Sequence, residues 1–149
     1  MPAIILYLGR RHGLFQKVED EYMTLKVVAD CHDVLTEITN FYGTKMWTQK
    51  TWEEFKGERL KRWAALFETY IEDGLPRLAQ LMLAGLIGPM TYSFPKMESY
   101  FKETAPDLLE LKIKVENEKD ISRLLKEQRD LWGDTYCGGD IEKSLRKVI

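Results

Sequence analysis

Two histidines, two cysteines and a small cationic cluster are the residues of this 149-residue chain whose types suit chemistry. Cys137 stands in Cys137-Gly138-Gly139-Asp140, a loop leading into a predicted helix, and a helix N-terminus lowers a thiol pKa toward the reactive thiolate. Glycines ahead of a helix are equally ordinary loop punctuation. There is no Gly-x-Ser-x-Gly, and His12 and His32 are the only bases for a nucleophile. Arg10-Arg11-His12 follows an apolar run and is a candidate anion-binding cluster, because guanidinium groups bind phosphate and carboxylate through paired hydrogen bonds. It lacks the glycine spacing of a P-loop or a dinucleotide fingerprint.

The metal-like constellation is His32-Asp33, with Asp30 one turn earlier and His12 upstream. It is similar to the ligand set of HD-type phosphohydrolases, in which a bound metal lowers the pKa of a water. That resemblance implies a metal-dependent phosphohydrolase centred on His32 and Asp33. Against it, the two histidines are only 20 positions apart, tight for ligands on separate helices, and no later aspartate stands out as a fourth ligand. Asp30, Asp33 and Glu37 share a helix face, within about 60° at 100° per residue. The Glu-x-x-Glu pairs with which all-helical nucleotide pyrophosphohydrolases hold magnesium are missing, and Lys26 is placed to pair with Asp30. No metal site and no cofactor are expected.

Lys45 to Trp63 holds three of the four tryptophans, Trp47, Trp52 and Trp63, among six cations and three glutamates. Aromatics between cations serve single-stranded nucleic-acid grooves and protein hot spots alike. Trp63 fits an apolar helix stripe, whereas Trp47 falls outside any periodicity. The expected partner-binding residues are therefore Trp47 and Trp52 as anchors, with Lys50, Lys56 and Arg59 as a steering rim.

These residues need elements to hold them. Ala3–Leu8 suits a short buried strand ending in the loop Gly9–Gly13. Val18, Tyr22, Leu25, Ala29, His32 and Leu35 keep helical spacing, so the buried face of a helix over about 17–41 is predicted there, with Gly43 as its stop. Thr51-Trp52-Glu53-Glu54 reads as a capping box. Trp52, Phe55, Trp63, Leu66, Phe67, Tyr70 and Ile71 then keep helical period to Asp73-Gly74. Pro76–Ile87, apolar nearly all round, is expected in the core, stopping at Gly88-Pro89. Those two helices make a central hairpin. A short helix over 96–102 follows. Leu111–Glu116 alternates like a half-exposed strand, with a continuous helix as the competing reading. A helix capped by Asn117 and ending at Gly133, and a last one over 141–148, complete the chain.

The fold class expected is mainly α: a compact helical domain with a central helical hairpin, and a minimal two-stranded sheet (α+β) as the alternative. The length suits one globular domain, 1–149. With 44% apolar and 31% charged residues the composition is globular. A net charge of −2 forces no nucleic-acid or membrane partner. No signal peptide or membrane span is read, and two cysteines as free thiols suit the cytoplasm. The function expected from these residues alone is a non-enzymatic interaction or regulatory domain, such as an inhibitor of a partner protein. Nucleic-acid binding through 45–62 and the His32/Asp33 phosphohydrolase are the alternatives. Oligomeric state is left open.

Overall fold

The computed structural model describes residues 2–93 and 95–133. Among them the architecture is mainly helical, with no strand. The order is α1 (Pro2–Arg11), α2 (Val18–Ile38), a short turn α3 (Asn40–Gly43), α4 (Gln49–Phe55), a π-helical segment (Lys56–Leu60), α5 (Lys61–Glu72), α6 (Arg77–Ser93), α7 (Pro95–Thr104), α8 (Pro106–Glu116) and α9 (Lys119–Trp132). No described helix is long and apolar enough to cross a membrane. The last helix expected, over 141–148, lies outside the described residues.

Both expected strands are helices. The Ala3–Leu8 run is part of α1, whose inward positions Ile5 and Gly9 are four residues apart. Gly9 is needed at that contact: a Cβ there would stand 2.3 Å from the Phe15 ring. The helix runs through Arg11, so Gly9–Arg11 is helical and the turn is confined to His12 and Gly13. Leu111–Glu116 belongs to α8. Its alternation misleads because Leu108, Leu111 and Val115, at helical spacing, are buried while Ile113 is exposed. Pro106 in the first turn sets the start.

No side chain of Ala105 caps α8. Instead the Glu68 carboxylate, reaching over from α5, accepts from the Leu108 amide at 2.7 Å and the Asp107 amide at 3.4 Å. A carboxylate among the first amides satisfies orphan donors and meets the positive end of the helix. Glu68→Ala is expected to cost about 1 kcal/mol. A lowered urea midpoint with unchanged slope would show it; an unshifted midpoint would mean that water caps the helix equally well.

The aromatic stretch changes phase midway. Trp52 and Phe55 are buried, and the next buried residue, Leu60, comes five positions later rather than three or four. The π-helical turn accommodates that extra residue. Ala64, Phe67 and Tyr70 then continue the buried face. The Tyr100 hydroxyl donates to the Lys56 carbonyl within the π turn, at 3.0 Å. The cap also lies earlier than expected. Thr48, not Thr51, is the N-cap; its hydroxyl accepts from the Thr51 amide while the Thr51 hydroxyl accepts from the Thr48 amide.

Gly74, at φ +87°, makes the turn from α5 toward α6. As expected α6 is central, with Ala79, Leu83 and Ile87 buried. It packs chiefly on α8 and α2. It does not stop at Gly88 but carries Pro89 inside it and continues to Ser93. Pro89 has no N–H to give the Gly85 carbonyl, so this turn of helix lacks one ladder bond. The α9 start also shifts by one residue, with Glu118 rather than Asn117 at the N-cap; Gly133 ends it as expected.

Candidate ligand-binding site

The helix α2 presents two apolar faces rather than one. Thr24, Val27, Val28, Cys31, Val34 and Ile38 are buried. The stripe expected to be buried is rotated away: Val18, Tyr22 and Leu35 are 54%, 66% and 44% exposed, and Ala29 and His32 are exposed as well. Helical period finds a stripe but not what covers it, and here Val27, Val28 and Val34 offered a competing face. Part of the displaced stripe, Ala29, His32 and Leu35, nonetheless lines a cavity.

That cavity, of about 540 Å³, opens between α2 and α6. Val28, Ala29, Cys31, His32, Asp33 and Leu35 form one wall, and Leu81, Met82, Gly85 and Leu86 of α6 the other, with Pro2 of α1 at the edge. Its size falls in the range of small-molecule sites, which are mostly apolar with a few polar groups. Those groups stand on α2. The chain reverses after α2 through Asn40, Phe41 and Tyr42, all left-handed at φ 49°, 58° and 56°, a conformation costly for side chains with a Cβ. The reversal brings the Tyr42 hydroxyl 2.8 Å from His32 Nε2, while Thr36 donates to the Tyr42 oxygen at 2.9 Å. This tether replaces the continuous helix to residue 41 that was expected. Asp33 lies 3.8 Å from His32 Nδ1, beyond hydrogen-bond reach.

Cys31 lines the cavity, and its thiol is held protonated. Burial first, and the Asp30 carboxylate second, push it up to about 12. The thiolate is the nucleophile, so at neutral pH this residue is a small apolar packing group. Asp30 itself is tied into the α2–α5 contact: Tyr70 donates to it at 2.8 Å, and Lys26 bonds both. Asp30 therefore points away from a shared metal site with His32, and among the described residues no group of three or more His, Cys, Asp or Glu could hold a metal. Cys137 lies outside the described residues.

The residues expected to bind a partner are placed differently from one another. Trp52 is 1% exposed and belongs to the core. Trp47 is half-buried: its indole donates to the Ile38 carbonyl at 2.9 Å and its ring meets Trp52 edge-on at 5.4 Å. This correction has a simple cause. The α4 helix has one inward face, and a tryptophan at position 52 sits on it with Phe55. Lys50, Lys56 and Arg59 are engaged with Glu54, Glu53 and Glu37. Arg59 holds the Glu37 carboxyl below its ordinary range through paired hydrogen bonds. In the anion cluster, Arg10 makes a paired contact with Glu21, at 3.0 and 2.6 Å, which lowers the Glu21 pKa. Arg11 stacks over Tyr7, and His12 is exposed. The cluster's principal guanidinium already has its carboxylate.

One signal for the cavity was present in the sequence. Gly85 interrupts an apolar helix, and an isolated helical glycine costs about 1 kcal/mol relative to alanine, so it needs a reason in packing or function.

The family model described as glutathione S-transferase, C-terminal domain, matches residues 23–148. No curated protein matches the chain. The family match overturns the expectation of a non-enzymatic regulatory domain, which rested on finding no catalytic set in the residues.

Proposed function

Since the chain belongs to the glutathione S-transferase C-terminal domain family, we propose that it acts in glutathione S-transfer and that the α2–α6 cavity seats the apolar acceptor. In such a transfer the glutathione sulfur forms a bond to an electrophilic carbon of the acceptor. With an aryl halide the halide leaves with the bonding electrons, and the thiol proton passes to solvent. The observation that carries the reading is the cavity of about 540 Å³ lined by Val28, Leu35, Leu81, Met82 and Leu86. An apolar acceptor gains there from leaving water, roughly 25 cal/mol for each Å² buried. Cys31, held protonated beside that cavity, does not compete with glutathione for the electrophile. A reducing, cytoplasmic setting accords with a free buried thiol and with glutathione as the reduced co-substrate.

The test is conjugation of glutathione to 1-chloro-2,4-dinitrobenzene by the purified protein. Ala29 is exposed on the cavity wall, so Ala29→Phe fills the cavity without entering the core. It should lower kcat/KM about tenfold, chiefly through KM, because it removes acceptor binding rather than thiol chemistry. No acceleration by the wild-type protein, or an unchanged kcat/KM in the variant, would refute the assignment.

A further inference from the structure

A second cavity, of about 310 Å³, lies on the other flank of α6. Ala84, Gly88 and Pro89 of α6, Val115 and Glu116 of α8, and Ile121 and Leu125 of α9 line it. Leu81 and Gly85 line both cavities. Helix geometry explains the sharing. At 100° per residue, Leu81 and Gly85 stand about 40° apart on a common strip. Met82 and Leu86 lie to one side of that strip, and Ala84 and Gly88 to the other. The strip is the ridge between the cavities, and at Gly85 the ridge has no side chain. A Cβ added there would meet nothing within 4 Å, so the ridge dips into open space where any other residue would raise it.

The groove interior offers little free charge. Glu116 is paired with Lys112 at 3.0 Å, both half-buried, and His32 is bonded to Tyr42. A ligand carboxylate would find no cation lining either end free to pair with it, while an ammonium would find Asp33 only at the exposed rim of the first cavity and Glu116 already paired in the second; burying a charge without a partner is costly. An uncharged molecule has no such cost.

We infer that the two cavities act as one groove across α6, that Gly85 joins them, and that the acceptor class this protein favours is an extended, uncharged apolar molecule rather than a compact one. The inference rests on the assignment of the α2–α6 cavity as the acceptor seat, and adds its length and the residue that sets it.

Titration calorimetry with 1-hexanol, 1-octanol and 1-decanol measures this directly. In the wild-type protein the affinity should keep rising roughly three- to fourfold per added methylene across the series, the increment for a buried methylene. Gly85→Val raises a stiff, branched side chain on the ridge. It should leave hexanol affinity within about twofold and flatten the rise beyond octanol. Leu125→Trp fills the far cavity from α9 without touching the ridge and should flatten the rise in the same way, which keeps the test open if Gly85→Val does not fold. A wild-type plateau at hexanol, or both variants retaining the wild-type rise, overturns the inference while leaving the acceptor seat in place. Failure of the seat itself looks different: hexanol would not bind, or Ala29→Phe would not abolish its binding.

Discussion

Trp52→Ala is expected to destabilise the fold by about 3–5 kcal/mol, the cost of deleting a large aromatic from a packed interior. Its side chain is 1% exposed. It touches Trp47 edge-on at 5.4 Å and Phe55 at 5.6 Å, geometries that add about 0.5–1.5 kcal/mol per pair beyond area burial. Removing it leaves the π turn and α4 without their common anchor. Against a total stability of about 5–15 kcal/mol this is a large fraction. Lys50→Ala in the same segment should lie within about 0.5 kcal/mol, because its contact with Glu54 is 3.9 Å long and exposed. Urea unfolding of the two variants separates a core from a contact surface. Equal small effects would mean that Trp52 is free to meet a partner, contrary to its burial here.

The contrast between those two residues shows how far the sequence alone reached. Composition separates a globular chain from a disordered one, and period separates helix from loop, so α2 and α9 were legible within a few residues. The helix expected from Thr51, by contrast, divides into α4, the π turn and α5, and α6 overruns its expected end at Ile87 to reach Ser93. Period cannot say which apolar residues are covered. Trp52 and Trp47 look alike in sequence, and only the inward face of α4, on which Trp52 sits with Phe55, makes one core and the other half-buried. The same ambiguity turned α2: two stripes compete on it, and three residues of the one read as buried, Ala29, His32 and Leu35, line the cavity. Leu111–Glu116 fails for a different reason. Six residues satisfy period two and period 3.6 equally well, and Leu108 and Leu109 outside that window decide the matter.

The cavity was out of reach of local reading because its walls are about fifty residues apart in the chain. His32 and Asp33 entered as metal ligands only in an alternative reading, because of their type, and they do line the cavity. Their neighbours, however, give them another use: Tyr42 holds the imidazole in place, and Asp30 turns toward Tyr70 and Lys26. What a histidine does is set by what folds back onto it, here a left-handed turn that no propensity scale favours.

Cys31 should be alkylated roughly a thousandfold more slowly than an ordinary cysteine at the same pH, because its thiolate population scales with the rise from 9.0 to about 12. Mass spectrometry of the Cys31 peptide after iodoacetamide treatment distinguishes it from Cys137. The same burial makes the fold sensitive to alkali. Below pH 9 the thiol carries its proton in both states and contributes no slope. As pH rises past 9.0 the unfolded thiol ionises while the folded one keeps its proton until about 12. The unfolded state then binds fewer protons, and stability falls. At pH 10.5 the loss from this residue is on the order of 2 kcal/mol. Cys31→Val, which keeps an apolar group at the site, should lack that part of the loss, so its urea midpoint should fall less between pH 8 and 10.5 than the wild type's. Parallel pH profiles, or alkylation at the rate of a free thiol, would mean that Cys31 reaches water. On the proposed function it would then compete with glutathione for the electrophile and be consumed by it. On that same function, a protonated Cys31 stands beside the acceptor seat without being spent there.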